Sequence, residues 1–342
     1  MDVMIAPTFK MISMDDTGNI EVKIDYEELD SKRIGQFLHV NLPPLTTEEE
    51  DIINPLIPPT SGIRISLLEK KDGVFHCPAS RYCMFLRIFK AISLLLLEKM
   101  GHPAKILITS DERPTGDRLV RNAMQVLAVD EHEFVVQRHE PGDLPLSKFI
   151  HSGLSTPYSS SCIAIFDDID AVICVTASHN SIQWNGVKFY LNVPIPIAGD
   201  LMRSISNHAL QQTLIKMIDA DKITVHGRDC EVAVNDYIKD LMGKVIPLEG
   251  VSGKTIIVWP YMGKAPGIVN LLQDLGVNVK RIDKQMEPPD PTVNFPRKEI
   301  IETMKQHDAR IAVMLDADRD RIVFMLKREN AYQKMNPNEL YT

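Results

Sequence analysis

The sequence predicts an α/β protein in which strands and helices alternate along the chain and stack in layers. Two observations point there. Short apolar runs suited to buried strands, such as Lys105 to Thr109 and Ala171 to Val175, alternate with segments whose apolar residues recur at helical spacing. The same alternation starts again near Thr255 and continues to Leu326. Elements in that order pack helices against a sheet. With 342 residues, 44% of them apolar, the chain can build two or three such units of roughly 100–150 residues each.

Residues 1–59 precede the first clearly periodic segment. They hold an expected strand at Ile20 to Ile24, the acidic run Glu48-Glu49-Glu50-Asp51, and the prolines Pro43, Pro44, Pro55, Pro58 and Pro59. That pattern reads as an N-terminal extension ending in a stiff lead-in, with a disordered tail as the alternative. From Arg81 to Lys99 the residues Phe85, Ile88, Phe89, Ile92, Leu95 and Leu96 mark a helix, which Gly101 stops. Lys105 to Thr109 is a strand, Gly116 to Val129 a helix, and Phe134 to Gln137 and Ala171 to Val175 strands. Pro194, Pro196 and Gly199 punctuate the chain before helices at Asp200 to Gln211 and Val232 to Met242. The second unit reads as a strand at Thr255 to Trp259, a helix at Gly267 to Leu275 with Gly276 at its end, and a strand at Val277 to Ile282. A proline-rich loop follows from Pro288 to Pro296, then a helix at Arg297 to His307 and strands at Arg310 to Leu315 and Ile322 to Leu326.

The net charge of −8 argues against a general nucleic-acid binder, which needs basic surface. Cys77, Cys83, Cys162, Cys174 and Cys230 form no C-x-x-C pair, the pattern of reduced, buried thiols in a cytoplasmic protein. No signal-peptide core is visible at the N-terminus. The longest strongly apolar stretch, Ile92 to Leu97, is far below the ~18 residues of a membrane span.

Two short motifs carry chemistry. Thr176-Ala177-Ser178-His179-Asn180 sets a hydroxyl and an imidazole side by side at the end of a strand, where α/β proteins present ligands. Asp316-Ala317-Asp318-Arg319-Asp320-Arg321 places a carboxylate at every second residue after another strand. In an extended loop that period throws all three to one side, around one hard cation such as Mg²⁺. An EF-hand is excluded, because its glycine and glutamate positions are Arg321 and Lys327 here. A hydroxyl that can hold a phosphate and a metal that can neutralise it are two halves of a phosphoryl-transfer site. If both serve one site, Ser178 Oγ lies about 5–8 Å from the carboxylates, a gap that one phosphate and metal–oxygen bonds of ~2.1 Å would span.

Together these motifs resemble the α-D-phosphohexomutases. Thr60-Ser61-Gly62-Ile63-Arg64 looks like the family's arginine loop, and Asp111-Glu112-Arg113-Pro114-Thr115-Gly116 like its D-x-R-x-S/T-G turn. Ser155-Thr156-Pro157 and Asn185-Gly186-Val187-Lys188 follow in the family's order, so the likeness covers about residues 60–326. The resemblance implies two consecutive three-layer α/β/α domains with mixed sheets, a phosphoserine loop at 60–222 and a metal loop at 223–326. It implies that Ser178 carries phosphate and that His179, Lys188, Arg64 and Arg321 serve the transfer. Ser178, Asp316, Asp318 and Asp320 would hold one Mg²⁺. A hexose 1,6-bisphosphate would be the activator and intermediate, and a phosphosugar the substrate. This sequence departs from the family pattern at Ser181, Ala317 and Arg319.

The family's E-x-S-G-H/N and R-x-S-G-T loops do not occur. The expectation is therefore the first two of four domains, with residues 327–342, around Asn336-Pro337-Asn338-Glu339-Leu340, starting a third. Two functions stay open: a Mg²⁺-dependent phosphohexose mutase, and a non-enzymatic paralogue that serves as a binding or scaffold module.

Overall fold

The computed structural model of the chain describes residues 22–59, 62–245, 248–329, 331–336 and 339. Ile20 and Glu21 of the first expected strand, Thr60 and Ser61 of the arginine loop, and most of 336–340 lie outside them. Two larger sheets organise the rest, alongside two three-stranded ones.

The first sheet has seven strands in the order Ile63–Ser66, Trp184–Leu191, Ala171–Val175, Lys105–Ser110, Glu133–Gln137, Thr224–Arg228, Gly142–Pro145. The four strands from Ala171–Val175 to Thr224–Arg228 run parallel. The outer strands join antiparallel, so the sheet is mixed. Alternate residues of the parallel strands serve opposite faces. Ile106, Ile108, Phe134, Val136, Ile173 and Val175 pack with helices Ala79–Met100, Gly116–Leu127 and Gly199–Gln211. Leu107, Val135, Val172 and Cys174 pack with helices Thr156–Ile165 and Cys230–Gly243. Helices on both faces explain why these strands read as unbroken apolar runs.

The second sheet has five strands in the order Asn278–Arg281, Thr255–Pro260, Ile311–Leu315, Ile322–Arg328, Ala331–Met335. Ile257, Trp259, Ala312 and Met314 pack against Ile300 and Met304 of helix Arg297–Gln306. Val258 and Leu315, on the other face, pack against Val269 of helix Pro266–Asp274. Both units are therefore layered and mixed, as expected.

Several expectations change in detail. The acidic run is a helix, Thr47–Ile53, whose start is closed by reciprocal bonds between Thr46 and Glu49. Glu48, Glu49 and Glu50 fall in its first turn, where the helix dipole favours negative charge. Strand Phe37–Asn41 pairs with Leu214–Ile218, so the described part of the extension is built into the fold rather than a loose tail. Strand Trp184–Leu191 was not expected; Asn185 to Tyr190 are all buried, which erases the alternation that marks a half-exposed strand. Helix Thr156–Ile165 was also missed, although Ser155 accepts the Tyr158 N–H as its cap and Pro157 sits in its first turn. Strand Thr224–Arg228 hydrogen-bonds into the first sheet, beyond the expected boundary at residue 222. Strand Ala331–Met335 pairs with Ile322–Arg328 in the second sheet, past the expected end at residue 326. All five cysteines are buried and free. Among the described residues, no helix is long and apolar enough to cross a membrane.

Candidate active site

Ser178 sits at the carboxyl end of strand Ala171–Val175, at a backbone position that an L-residue adopts at a cost (φ 54°). Its neighbours hold that shape. The Ser178 N–H donates to Thr176 Oγ1 at 2.8 Å, and the Thr176 hydroxyl donates to Asp111 Oδ2 at 2.6 Å. Arg113 donates to the carbonyls of Ser178, Asn180, Ser181 and Trp184, and its Nε to Asp111 Oδ2 at 3.0 Å. The planar fork of one buried guanidinium thus gathers the whole loop, a task a lysine could not perform. Gly186 lets strand Trp184–Leu191 pass beneath; a Cβ there would come within 2.4 Å of Ile63 O and 2.7 Å of Thr176 O.

The carboxylate loop meets this loop directly. Ser178 Oγ donates to Asp316 Oδ2 at 2.9 Å and approaches Asp320 Oδ1 at 3.2 Å. The two motifs meet as expected, but in hydrogen-bond contact rather than across the gap expected for a phosphate. Lys188 Nζ donates to Asp318 Oδ2 at 2.7 Å and Asp320 Oδ2 at 2.5 Å. Thr156 Oγ1 donates to Asp318 Oδ2 at 2.8 Å, and the Thr156 N–H to Asp318 O at 3.0 Å. Thr156 belongs to the Ser155-Thr156-Pro157 motif, which the sequence reading quoted without giving this residue a role in the site.

Burial and charge shape these groups. Burial, joined by repulsion from Asp318 and Asp320, pushes the Asp316 carboxyl well above the usual range. Burial also works against the Asp318 carboxylate, but Lys188 outweighs it and holds the group below its ordinary value. Burial alone would weaken the Lys188 ammonium; its pairing with Asp318 and Asp320 instead pushes it up to about 12. The ligand oxygens of Asp316, Asp318 and Asp320 lie within 4.8 Å of one another. Asp318 Oδ1 is buried and accepts no hydrogen bond. Three converging carboxylates with an unpartnered anionic oxygen fit a hard divalent cation.

The remaining expected residues surround this core. Arg64, on strand Ile63–Ser66, is close enough to Asp318 and Asp320 to feel their charge, while burial weakens its basicity. His179 is less basic than an ordinary histidine, through burial first and then through Arg321 and Arg64. The Arg321 N–H donates to Asp316 Oδ1 at 3.0 Å, and its guanidinium pairs with Asp290 at 3.4 Å. Arg319 turns away from the carboxylates and pairs with Glu112 of the first unit. Beside the Ser178 loop lies a cleft of about 320 Å³ lined by His179, Asn180, Ser181, Trp184, Pro288 and Asp290.

Comparison with known proteins shows what the chain is similar to. Residues 60–216 match the family model "Phosphoglucomutase/phosphomannomutase, alpha/beta/alpha domain I". The phosphoglucosamine mutase of Clostridium botulinum (strain Loch Maree / Type A3) is 25% identical over 260 residues, 71% of this chain and 51% of that protein. The probable phosphoglucosamine mutase of Methanopyrus kandleri is 24% identical over 174 residues, 48% of this chain and 36% of that protein. The chain thus spans about half the length of the first of these relatives. Among solved structures, the Paramecium exocytosis-sensitive phosphoprotein parafusin, a phosphoglucomutase in open form, has a TM-score of 0.58. The identity is 17%, over 85% of this chain and 55% of that one. A phosphoglucomutase/phosphomannomutase family protein from Burkholderia thailandensis has a TM-score of 0.55 at 18% identity, over 81% and 55%. The domain I match over 60–216, the ordered motifs and the shared α/β architecture make the chain similar to the α-D-phosphohexomutases.

Proposed function

We propose that this chain carries the nucleophile and metal loops of a Mg²⁺-dependent phosphohexose mutase that works through a phosphoserine at Ser178. The observation that carries the reading is the direct contact of Ser178 Oγ with Asp316 and Asp320, while Lys188 joins Asp318 to Asp320. Similarity to phosphohexomutases supports the reaction class.

In this reading Asp316, Asp318 and Asp320, together with Ser178, would hold the cation. Bound there, Mg²⁺ supplies charge neutralisation of the transferring phosphoryl group. A sugar hydroxyl in the cleft beside His179 and Trp184 attacks the phosphorus, and the bond from phosphorus to Ser178 Oγ breaks. The hydroxyl proton passes to His179, which its surroundings keep neutral. Lys188 stabilises the leaving Ser178 oxygen and supplies its proton. The product is a hexose 1,6-bisphosphate. Return of its other phosphoryl group to Ser178 completes the isomerisation and restores both protons. Arg64 adds positive charge for the phosphoryl oxygens, and Arg321 contributes its backbone N–H to the carboxylate loop.

The test is intact-mass spectrometry after incubation with a hexose 1,6-bisphosphate and Mg²⁺. The expected result is one added phosphoryl group on the wild type and none on Ser178→Ala. A wild type that takes up no phosphoryl group overturns the reading and leaves a binding module in its place.

A further inference from the structure

The turn Asp111-Glu112-Arg113 touches both loops of the site through adjacent side chains. Asp111 and Arg113 face the nucleophile loop, with the bonds to Thr176 and the four carbonyls described above. Glu112, between them, faces the second unit, and its Oε1 accepts a bond from the Arg319 guanidinium. Arg319 stands between Asp318 and Asp320, at the crest of the carboxylate loop. Its backbone is left-handed (φ 63°), and its N–H donates to Asp316 O at 3.2 Å. The segment is therefore a turn rather than the extended loop expected; it aims Asp318 at Lys188 and Thr156, and Asp320 at Lys188 and Ser178, while Arg319 leaves on another side toward Glu112.

The pair is enclosed. The Arg319 side chain is only 7% exposed and that of Glu112 24%. A Cβ on Gly263 of the second unit would fall 2.3 Å from Glu112 Cδ, and one on Gly153 of the first unit 3.0 Å from it. Glu112 therefore fills a slot with backbone on both sides. Arg319 Nε and Glu112 Oε2 are buried without partners, so a single ionic contact carries the join. Loss of either charge leaves the other enclosed without its hydrogen-bonded ion partner, a cost that movement of the loop relieves.

We propose that Glu112 and Arg319 are positioning residues: together they form a clasp between the units that registers the carboxylate loop against Ser178, with Asp111-Glu112-Arg113 as the common mount. The functional consequence rests on the phosphoryl-transfer reading, whereas the mechanical one does not.

The experiment uses the full chain as wild type, Glu112→Gln, Arg319→Met, the double variant and Arg319→Lys. Hydrogen exchange without added metal is read by mass spectrometry over residues 176–184 and 316–321. Each neutralising single variant is expected to speed exchange in both segments by about fivefold or more, since local opening sets the rate. The double variant is expected to add little to either single, and Arg319→Lys to stay near wild type. Mn²⁺ affinity, measured by calorimetry, is expected to fall about 10–100-fold in each neutralising single variant, as for other supports of metal ligands. Faster exchange confined to the segment that carries the substitution overturns the clasp. So do additive effects in the double variant, or loss with Arg319→Lys equal to that with Arg319→Met. A wild type that binds no Mn²⁺ defeats the metal reading alone, and hydrogen exchange still decides the clasp.

Discussion

Glu231 offers a sharp test of how the two units meet. It is the second residue of helix Cys230–Gly243, is 5% exposed, and accepts the Gly267 N–H of the other unit on Oε1 at 3.1 Å. Its Oε2 is buried and has no partner. Burial raises its pKa from 4.5 to about 6, against the pull of His139, Arg319 and the Gly267 N–H. Because the folded-state value lies above the unfolded one, the native state binds the extra proton. The stability linked to that proton is full below about pH 4.5 and is lost as pH rises through about 6. The difference corresponds to about 2 kcal/mol at ~1.36 kcal/mol per pH unit. Glu231→Gln keeps an oxygen for Gly267 and cannot ionise. Urea unfolding of both proteins should therefore show the glutamine variant gaining on the wild type by about 2 kcal/mol between about pH 4.5 and about pH 7. A stability difference that stays flat over this range refutes the argument that Glu231 ionises at a cost in the folded protein.

Three further outcomes are expected. Mg²⁺ should raise the melting temperature of the wild type, by an amount equivalent to about 2.7 kcal/mol at 100 times Kd, and Asp318→Asn should abolish most of the gain in calorimetry. Arg113→Met leaves Asp111 buried without its ion pair and frees four loop carbonyls; denaturant unfolding should show a loss of about 3–5 kcal/mol, and a loss below ~1 kcal/mol would contradict the role given to that guanidinium. His132 accepts the Ala104 N–H on Nδ1 at 2.8 Å, and burial lowers its pKa below the ordinary value. The unfolded chain thus takes up this proton more readily than the folded one, and stability should decline as pH falls below ~6.5, with His132 still neutral by NMR in the folded protein at that pH.

Much of the fold was legible because side-chain period is a local property. The helix at Ala79–Met100 shows in the spacing of Phe85, Ile88, Phe89 and Ile92, and strand Ala171–Val175 in its unbroken apolar run. Strand Trp184–Leu191 was illegible because Asn185, Gly186 and Lys188 are buried within it and break the apolar run, and Asn-Gly reads as a turn. Nothing near Phe37–Asn41 reveals that its partner is Leu214–Ile218, since the pairing depends on how the intervening domain folds back.

The sequence by itself determined which candidate groups the chain offers. Ser178, Lys188 and the three aspartates are recognisable from their strings, because a hydroxyl at a strand end and carboxylates at period two have few other uses together. The tertiary structure alone decided that these groups meet. Ser178 and Asp316 lie 138 residues apart, yet share a hydrogen bond of 2.9 Å, because two separate sheets present their strand ends to one another. The same packing decided what Arg319 does. Read along the chain, it is a long cation among carboxylates, a departure from the family pattern that would crowd the loop or compete with a metal. In the folded protein the left-handed turn at Arg319 points it away from them, into a buried slot where Glu112 pairs with it. Local sequence sets a side chain's chemistry and the face it takes; the partner on that face comes from long-range packing, which no short string encodes.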